Sequence, residues 1–99
     1  MGSTVIIAIK QSGGQVQFEP STETAPAGAT IYWRNEDHQA HWPGPLPPFA
    51  PDSWLAYQIP GTVHGQPPAV SDGVSFSATG TYCYRCELHH NETGTLEIQ

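Results

Sequence analysis

Near the end of the chain, Tyr84-Arg85-Cys86-Glu87-Leu88-His89-His90 sets a cysteine and a histidine three positions apart, directly after an alternating segment that reads as a strand. A strand that delivers a thiolate and a tight loop that delivers an imidazole can turn both onto one metal ion. Thiolate and imidazoles in a trigonal arrangement with a weak axial ligand suit copper cycling between Cu(I) and Cu(II). The second imidazole must come from elsewhere, and the segment from Gly28 to His41, with His38 and His41, offers it.

The remaining sulfur and imidazoles have plainer readings. Cys83 stands three positions before Cys86, so on one strand the two side chains face opposite ways and do not readily form a disulfide. A C-x-x-C redox motif also needs a helix start after it, and none is signalled. Cys83 is therefore expected to be a small strand residue. His38, His64 and His90 are expected at the surface, His90 alone being sequence-adjacent to the candidate site. Asn91-Glu92-Thr93 matches the glycosylation pattern, but a glycan there would obstruct the metal, so the match reads as chance.

The elements that must hold these residues are strands. Sustained three-and-four apolar spacing is absent, whereas period-two alternation recurs in Gln15 to Phe18, Thr30 to Asn35, Val74 to Ala78, Thr81 to Cys86 and Thr95 to Gln99. Turn signals separate them at Ser12-Gly13-Gly14, Pro26-Ala27-Gly28, Ser71-Asp72-Gly73 and Thr79-Gly80. The expectation is an all-β, two-sheet Greek-key sandwich of about eight strands. Parity predicts a core of Ile7, Ile9, Val16, Phe18, Ile31, Trp33, Phe76, Tyr82, Tyr84, Leu96 and Ile98. Eight of the ten prolines lie from Pro43 to Pro68, which predicts a Pro-rich loop over 43–68 where only Ser53 to Ile59 could pair. Trp42, Phe49, Trp54 and Tyr57 suggest that this loop is partly packed.

Composition narrows the function further. The chain has 99 residues, which predicts one domain over 4–99, with Met1-Gly2-Ser3 reading as residues left by an expression vector. Three Lys and Arg against nine Asp and Glu give a net charge of −6, so the basic footprint that nucleic acid requires is missing. The apolar run Val5 to Ile9 is far shorter than the roughly 20 residues of a membrane span.

The chain resembles the cupredoxins, or type 1 copper proteins. Phe18-Glu19-Pro20, Gly28-Ala29-Thr30-Ile31-Tyr32-Trp33-Arg34-Asn35 and His41 are similar to the family's F-x-P, G-x-T-V-x-W-x-N and first copper histidine. They come in order and with the spacing of its amicyanin- and plastocyanin-like members. Gly80-Thr81-Tyr82-Cys83-Tyr84-Arg85-Cys86-Glu87-Leu88-His89 is similar to the family's G-x-Y-x-Y-x-C-x-x-H. The resemblance implies one copper bound by His41, Cys86 and His89 near one end of an eight-stranded sandwich. It also implies electron transport through the exposed edge of His89, across a patch built from Trp42, Pro43, Pro45, Leu46 and Phe49. The acidic chain would favour a basic protein redox partner docking near His89 and Trp42. The family is mostly periplasmic or membrane-anchored, so a periplasmic or extracellular location is expected.

Three positions depart from the family. Glu92 stands where amicyanin-like members place the axial Met, and the chain's one Met is Met1. A carboxylate is a harder anionic ligand that favours Cu(II) and lowers the potential. In carrying a Glu, the site is similar to that of the red copper protein nitrosocyanin, whose carboxylate comes from a different segment. The alternative is that Glu92 faces water, leaving a three-coordinate site or one completed by water or the Ala40 carbonyl. Trp42 replaces an Asn that braces the ligand loop, and either shields the copper or simply packs. Glu23 falls where the family tends to place an aliphatic residue, as an edge-strand charge or an alternative ligand. The cysteine spacing also departs from the binuclear copper centre of oxidases, whose two cysteines are separated by three residues.

The leading expectation is therefore a mononuclear copper electron carrier rather than an enzyme. A second is an open site of the red-copper type reacting with a small molecule such as nitric oxide, and a third is copper carriage. The set Cys-His-His-Glu would also suit tetrahedral zinc.

Overall fold

The β-branched run Val5-Ile6-Ile7 fits a pleated surface and lies in the longest strand, β1 (Thr4–Ser12). The structure, a computed structural model, describes residues 4–46 and 58–99. Among these residues eight strands follow: β2 (Gln15–Glu19), β3 (Thr22–Ala25), β4 (Thr30–Asn35), β5 (Pro43–Pro45), β6 (Ala69–Val70), β7 (Val74–Ser75), β8 (Gly80–Cys86) and β9 (Thr93–Ile98). They form two sheets. One runs β2-β1-β4-β6, with β7 also paired to β4, and the other runs β3-β9-β8-β5. β1 pairs with β4 in parallel, from Thr4 opposite Thr30 to Ile9 opposite Asn35. β3 pairs with β9 in parallel.

The sandwich core follows the alternation. Ile7, Ile9, Phe18, Ile31, Trp33, Phe76, Tyr84, Leu96 and Ile98 are buried, while Val16 and Tyr82 are partly buried against the same cluster. Each such side chain withdrawn from water contributes about 1.5–3 kcal/mol before entropy is counted. Tyr84 sits at the centre, edge-to-face with Phe18 at 4.8 Å and with Trp33 at 5.1 Å between ring centroids. Its ring needs Gly94, the cross-strand partner on β9, because a Cβ there would run into the phenol.

The all-β, two-sheet sandwich of about eight strands is as expected: nine strands are described, since β4 meets two short ones, β6 at Arg34 and Asn35 and β7 at Thr30 and Ile31. The expectation is corrected at two places. The segment Val74 to Ala78 pairs over Val74 and Ser75 alone. The Pro-rich stretch does not begin as a loop at 43, since Pro43–Pro45 pairs with β8. Trp42 O accepts from the N–H of Glu87 at 2.7 Å, and the N–H of Leu46 donates to Cys83 O at 3.0 Å. The even positions thus turn toward β8, and the two prolines occupy positions whose missing donors would face the open edge. Residues 47–57, including Phe49, Trp54, Tyr57 and most of the stretch from Ser53, lie outside the described residues. Ile59 bridges to His41. No helix among the described residues is long and apolar enough to cross a membrane.

Candidate metal centre

Cys86 closes β8, and the chain then makes two successive tight turns before β9. The N–H of His89 donates to Cys86 O at 3.3 Å, and the N–H of Glu92 donates to His89 O at 3.0 Å. The N–H of Cys86 returns to Glu92 O at 2.8 Å and closes the loop. Bonds reaching three residues back stack side chains at that same interval on one side. The spacing Cys86, His89, Glu92 is thereby converted into three donors pointing the same way. The fourth donor, His41, lies two residues before β5, the strand paired with β8, and is held by a two-way backbone bridge to Ile59, 3.1 Å in one direction and 2.7 Å in the other.

The donor atoms converge. Cys86 Sγ lies 3.6 Å from His41 Nδ1 and 3.5 Å from His89 Nδ1. Glu92 Oε1 lies 3.0 Å from His41 Nδ1 and 3.5 Å from His89 Nδ1. All four lie within 4.8 Å of one another. Bonds of about 2.0–2.3 Å at tetrahedral angles would set donor atoms about 3.3–3.7 Å apart. Three of the four separations given fall in that range and the fourth is shorter, so a small adjustment would close the group on one metal ion, and Glu92 Oε1, buried and without a hydrogen bond in good geometry, has a donor role left open.

The electrostatics fit as well. Burial opposes a charged His41, but its contacts with the Cys86 thiol and with the carboxylates of Asp37 and Glu92 outweigh it, pushing the imidazole up to about 9. Burial likewise opposes a Cys86 thiolate, yet His41, the N–H groups of Trp42 and Leu88, and His89 bring the thiol down to about 7. The group is thus poised to present a thiolate, the form that binds metal.

The fold is that of the cupredoxins. The purple cupredoxin of Nitrosopumilus maritimus superposes with a TM-score of 0.75 at 18% identity, covering 96% of this chain and 99% of that one. Amicyanin of Paracoccus versutus superposes with a TM-score of 0.71 at 19% identity, covering 97% and 81%. In sequence, the plastocyanin of Scenedesmus fuscus is 29% identical over 97 residues, 96% of this chain and 99% of that protein. No family model matches the chain.

Within this cupredoxin fold the other singled-out residues are placed apart from the four donors. Cys83 is exposed and Cys86 buried, both as free thiols. Glu23 lies on edge strand β3 opposite Leu96, its carboxylate accepting from the N–H of Thr24, and it is not among the converging donors. His38, His64 and His90 are exposed. Trp42 is half-buried, and its backbone braces the site: the N–H donates to Cys86 Sγ at 3.4 Å. Pro43 is fully buried, which removes it from the expected surface patch, whereas Pro45 and Leu46 remain half-buried.

The residue that the sequence reading missed is Asp37, buried with an oxygen 2.8 Å from His41 Nε2. The available signal is its position one helical-turn spacing before His41, but an acidic residue in Asn35-Glu36-Asp37-His38 reads equally well as a solvated loop. Asn35 is the second. Its amide donates to Gln39 O at 2.8 Å and Pro60 O at 3.1 Å, and its oxygen accepts from the N–H of Asp37 at 3.0 Å. It ties the His41 loop to the segment after Ile59.

Proposed function

We propose that this protein carries single electrons between redox partners on one copper ion held by His41, Cys86 and His89, with Glu92 as fourth ligand. The observation that carries this reading is the convergence of the four donor atoms at metal-binding separations. Copper in such a donor set supplies a one-electron couple. The chain's residues supply rigidity, because three donors are fixed by one hydrogen-bonded loop and the fourth by a strand bridge. Donors held in place need little rearrangement when the charge changes. An anionic Glu92 ligand favours the divalent state and makes the site similar to red copper centres.

Electrons would pass at His89, whose side chain is 36% exposed, beside Leu88 at 43%. Trp42, whose N–H donates to Cys86 Sγ, lies at the same end and would contribute to the contact with a partner. The net charge of −6 favours a basic partner and salt-sensitive association. A carrier of this kind would work in the periplasm or outside the cell.

A second reading, reaction of the site with a small molecule such as nitric oxide, would need an open coordination position. A cavity of about 300 Å³, lined in part by Gln15, Gln17, Ser21, Asn91 and Thr93, includes Glu92 but none of His41, Cys86 and His89. Azide added to the Cu(II) protein separates the two readings: a carrier site leaves the visible spectrum unchanged, and an open site changes it.

Titrating the metal-free protein with Cu(II), alone and as Cys86→Ser, tests the proposal. An intense thiolate charge-transfer band should saturate at one copper and vanish in the variant. A band that survives the substitution, or none at all, defeats the assignment.

A further inference from the structure

We infer that Asp37 is a positioning residue that fixes which nitrogen of His41 faces the metal and holds a negative charge behind that ligand. The inference rests on the metal-site reading above and adds a residue outside the four donors. Asp37 is buried at 3% exposure, and a buried carboxylate is costly unless it is paired. It is paired on both oxygens. One lies 2.8 Å from His41 Nε2, and the other lies 3.2 Å from Nδ1 of the exposed His38.

The direction of the bond follows. An ionised carboxylate only accepts, so Nε2 of His41 must carry the proton. The lone pair of the neutral ring then sits on Nδ1, the nitrogen that faces Cys86 and Glu92. A carboxylate behind a ligating imidazole also raises the basicity of that ligand and strengthens metal binding. On a redox metal the same charge favours the higher oxidation state.

The loop that carries Asp37 is built to keep it there. Its N–H is held by Asn35 Oδ1 and its carbonyl accepts from the N–H of Thr62 at 2.8 Å. The Thr62 hydroxyl donates to Asn35 O. Gly61 packs so close to the His38 carbonyl that a Cβ would strike it. The backbone that carries the carboxylate is therefore fixed on two sides.

Asp37→Asn keeps the shape and removes the charge. Zinc affinity, read by competition with a chromophoric chelator, should fall about 10–100-fold. In the copper protein, the preference for Cu(I) over Cu(II) should rise about tenfold, or about 59 mV for a one-electron couple. Zinc affinity within twofold of wild type, with a potential shifted by less than about 18 mV, would overturn the inference while leaving the metal site standing. Wild-type protein that takes up neither zinc nor copper would defeat the site reading and this inference together. Should Asp37→Asn fail to fold, the zinc-loaded wild type decides by nuclear magnetic resonance. A slowly exchanging, far-downfield Nε2–H proton on His41 supports the bond to Asp37, and a rapidly exchanging one overturns it.

Discussion

Glu92 Oε1 lies 3.0 Å from His41 Nδ1, although one residue closes the last turn before β9 and the other is bridged to Ile59. The carboxylate is thereby tied to the same point as the thiolate and both imidazoles. Its charge would act directly on an ion held by the group.

Replacing that charge is the sharpest test of its role. Glu92→Met in the copper protein should raise the reduction potential by more than about 59 mV, a tenfold shift toward Cu(I). The charge-transfer band should become bluer. Voltammetry and the visible spectrum check both, and no change in either excludes Glu92 from coordination.

Protons compete with the metal at His41 and Cys86. A metal needs the imidazole neutral and the thiol ionised, so binding releases a proton from each group that is still protonated. With His41 raised to about 9 and Cys86 lowered to about 7, both release below pH 7, only His41 between 7 and 9, and neither above 9. From these two groups, log zinc affinity should climb with a slope of about two, then one, then level off. Competition titrations from pH 6 to 10 would show this, and a plateau reached before pH 8 would contradict it.

Gly94→Ala should destabilise the fold by about 2–3 kcal/mol, since the added methyl group must displace the Tyr84 ring at the centre of the core. Urea unfolding of the metal-free protein measures it.

Asn35→Ala removes four hydrogen-bond contacts, two of them buried and two part-buried, and should cost about 2–3 kcal/mol. Its signature differs from that of Gly94→Ala. Because the lost bonds hold the loop leading to His41, zinc affinity should fall with stability in Asn35→Ala, and much less in Gly94→Ala.

The sequence made the long, one-faced strands visible. Trp33 and Tyr84 alternate with polar neighbours, and both are buried where parity puts them. The local spacing Cys86, His89, Glu92 was visible too, because a tight loop translates it directly into space. What was hidden depends on partners far away in the chain. β3, with Thr22-Glu23-Thr24-Ala25, carries too little apolar contrast to stand out and owes its pairing to β9. β5 is disguised by its prolines, which an edge position tolerates. Asp37 was hidden for a different reason: burial of a carboxylate is decided by the segment at 59–62 that covers it, and nothing in its own neighbours announces that.

The loop geometry at the end of β8 also bears on the unfolded chain. Cys86, His89 and Glu92 lie within seven consecutive residues, so the disordered polypeptide retains three of the four donors at close range. Ligand that binds both states stabilises the native one only by the difference. His41 is the donor that folding brings in, from 45 residues before Cys86. The gain in melting temperature on adding metal should therefore fall well short of what native affinity alone implies, and His41→Ala should remove most of that gain while leaving measurable metal affinity in the unfolded chain.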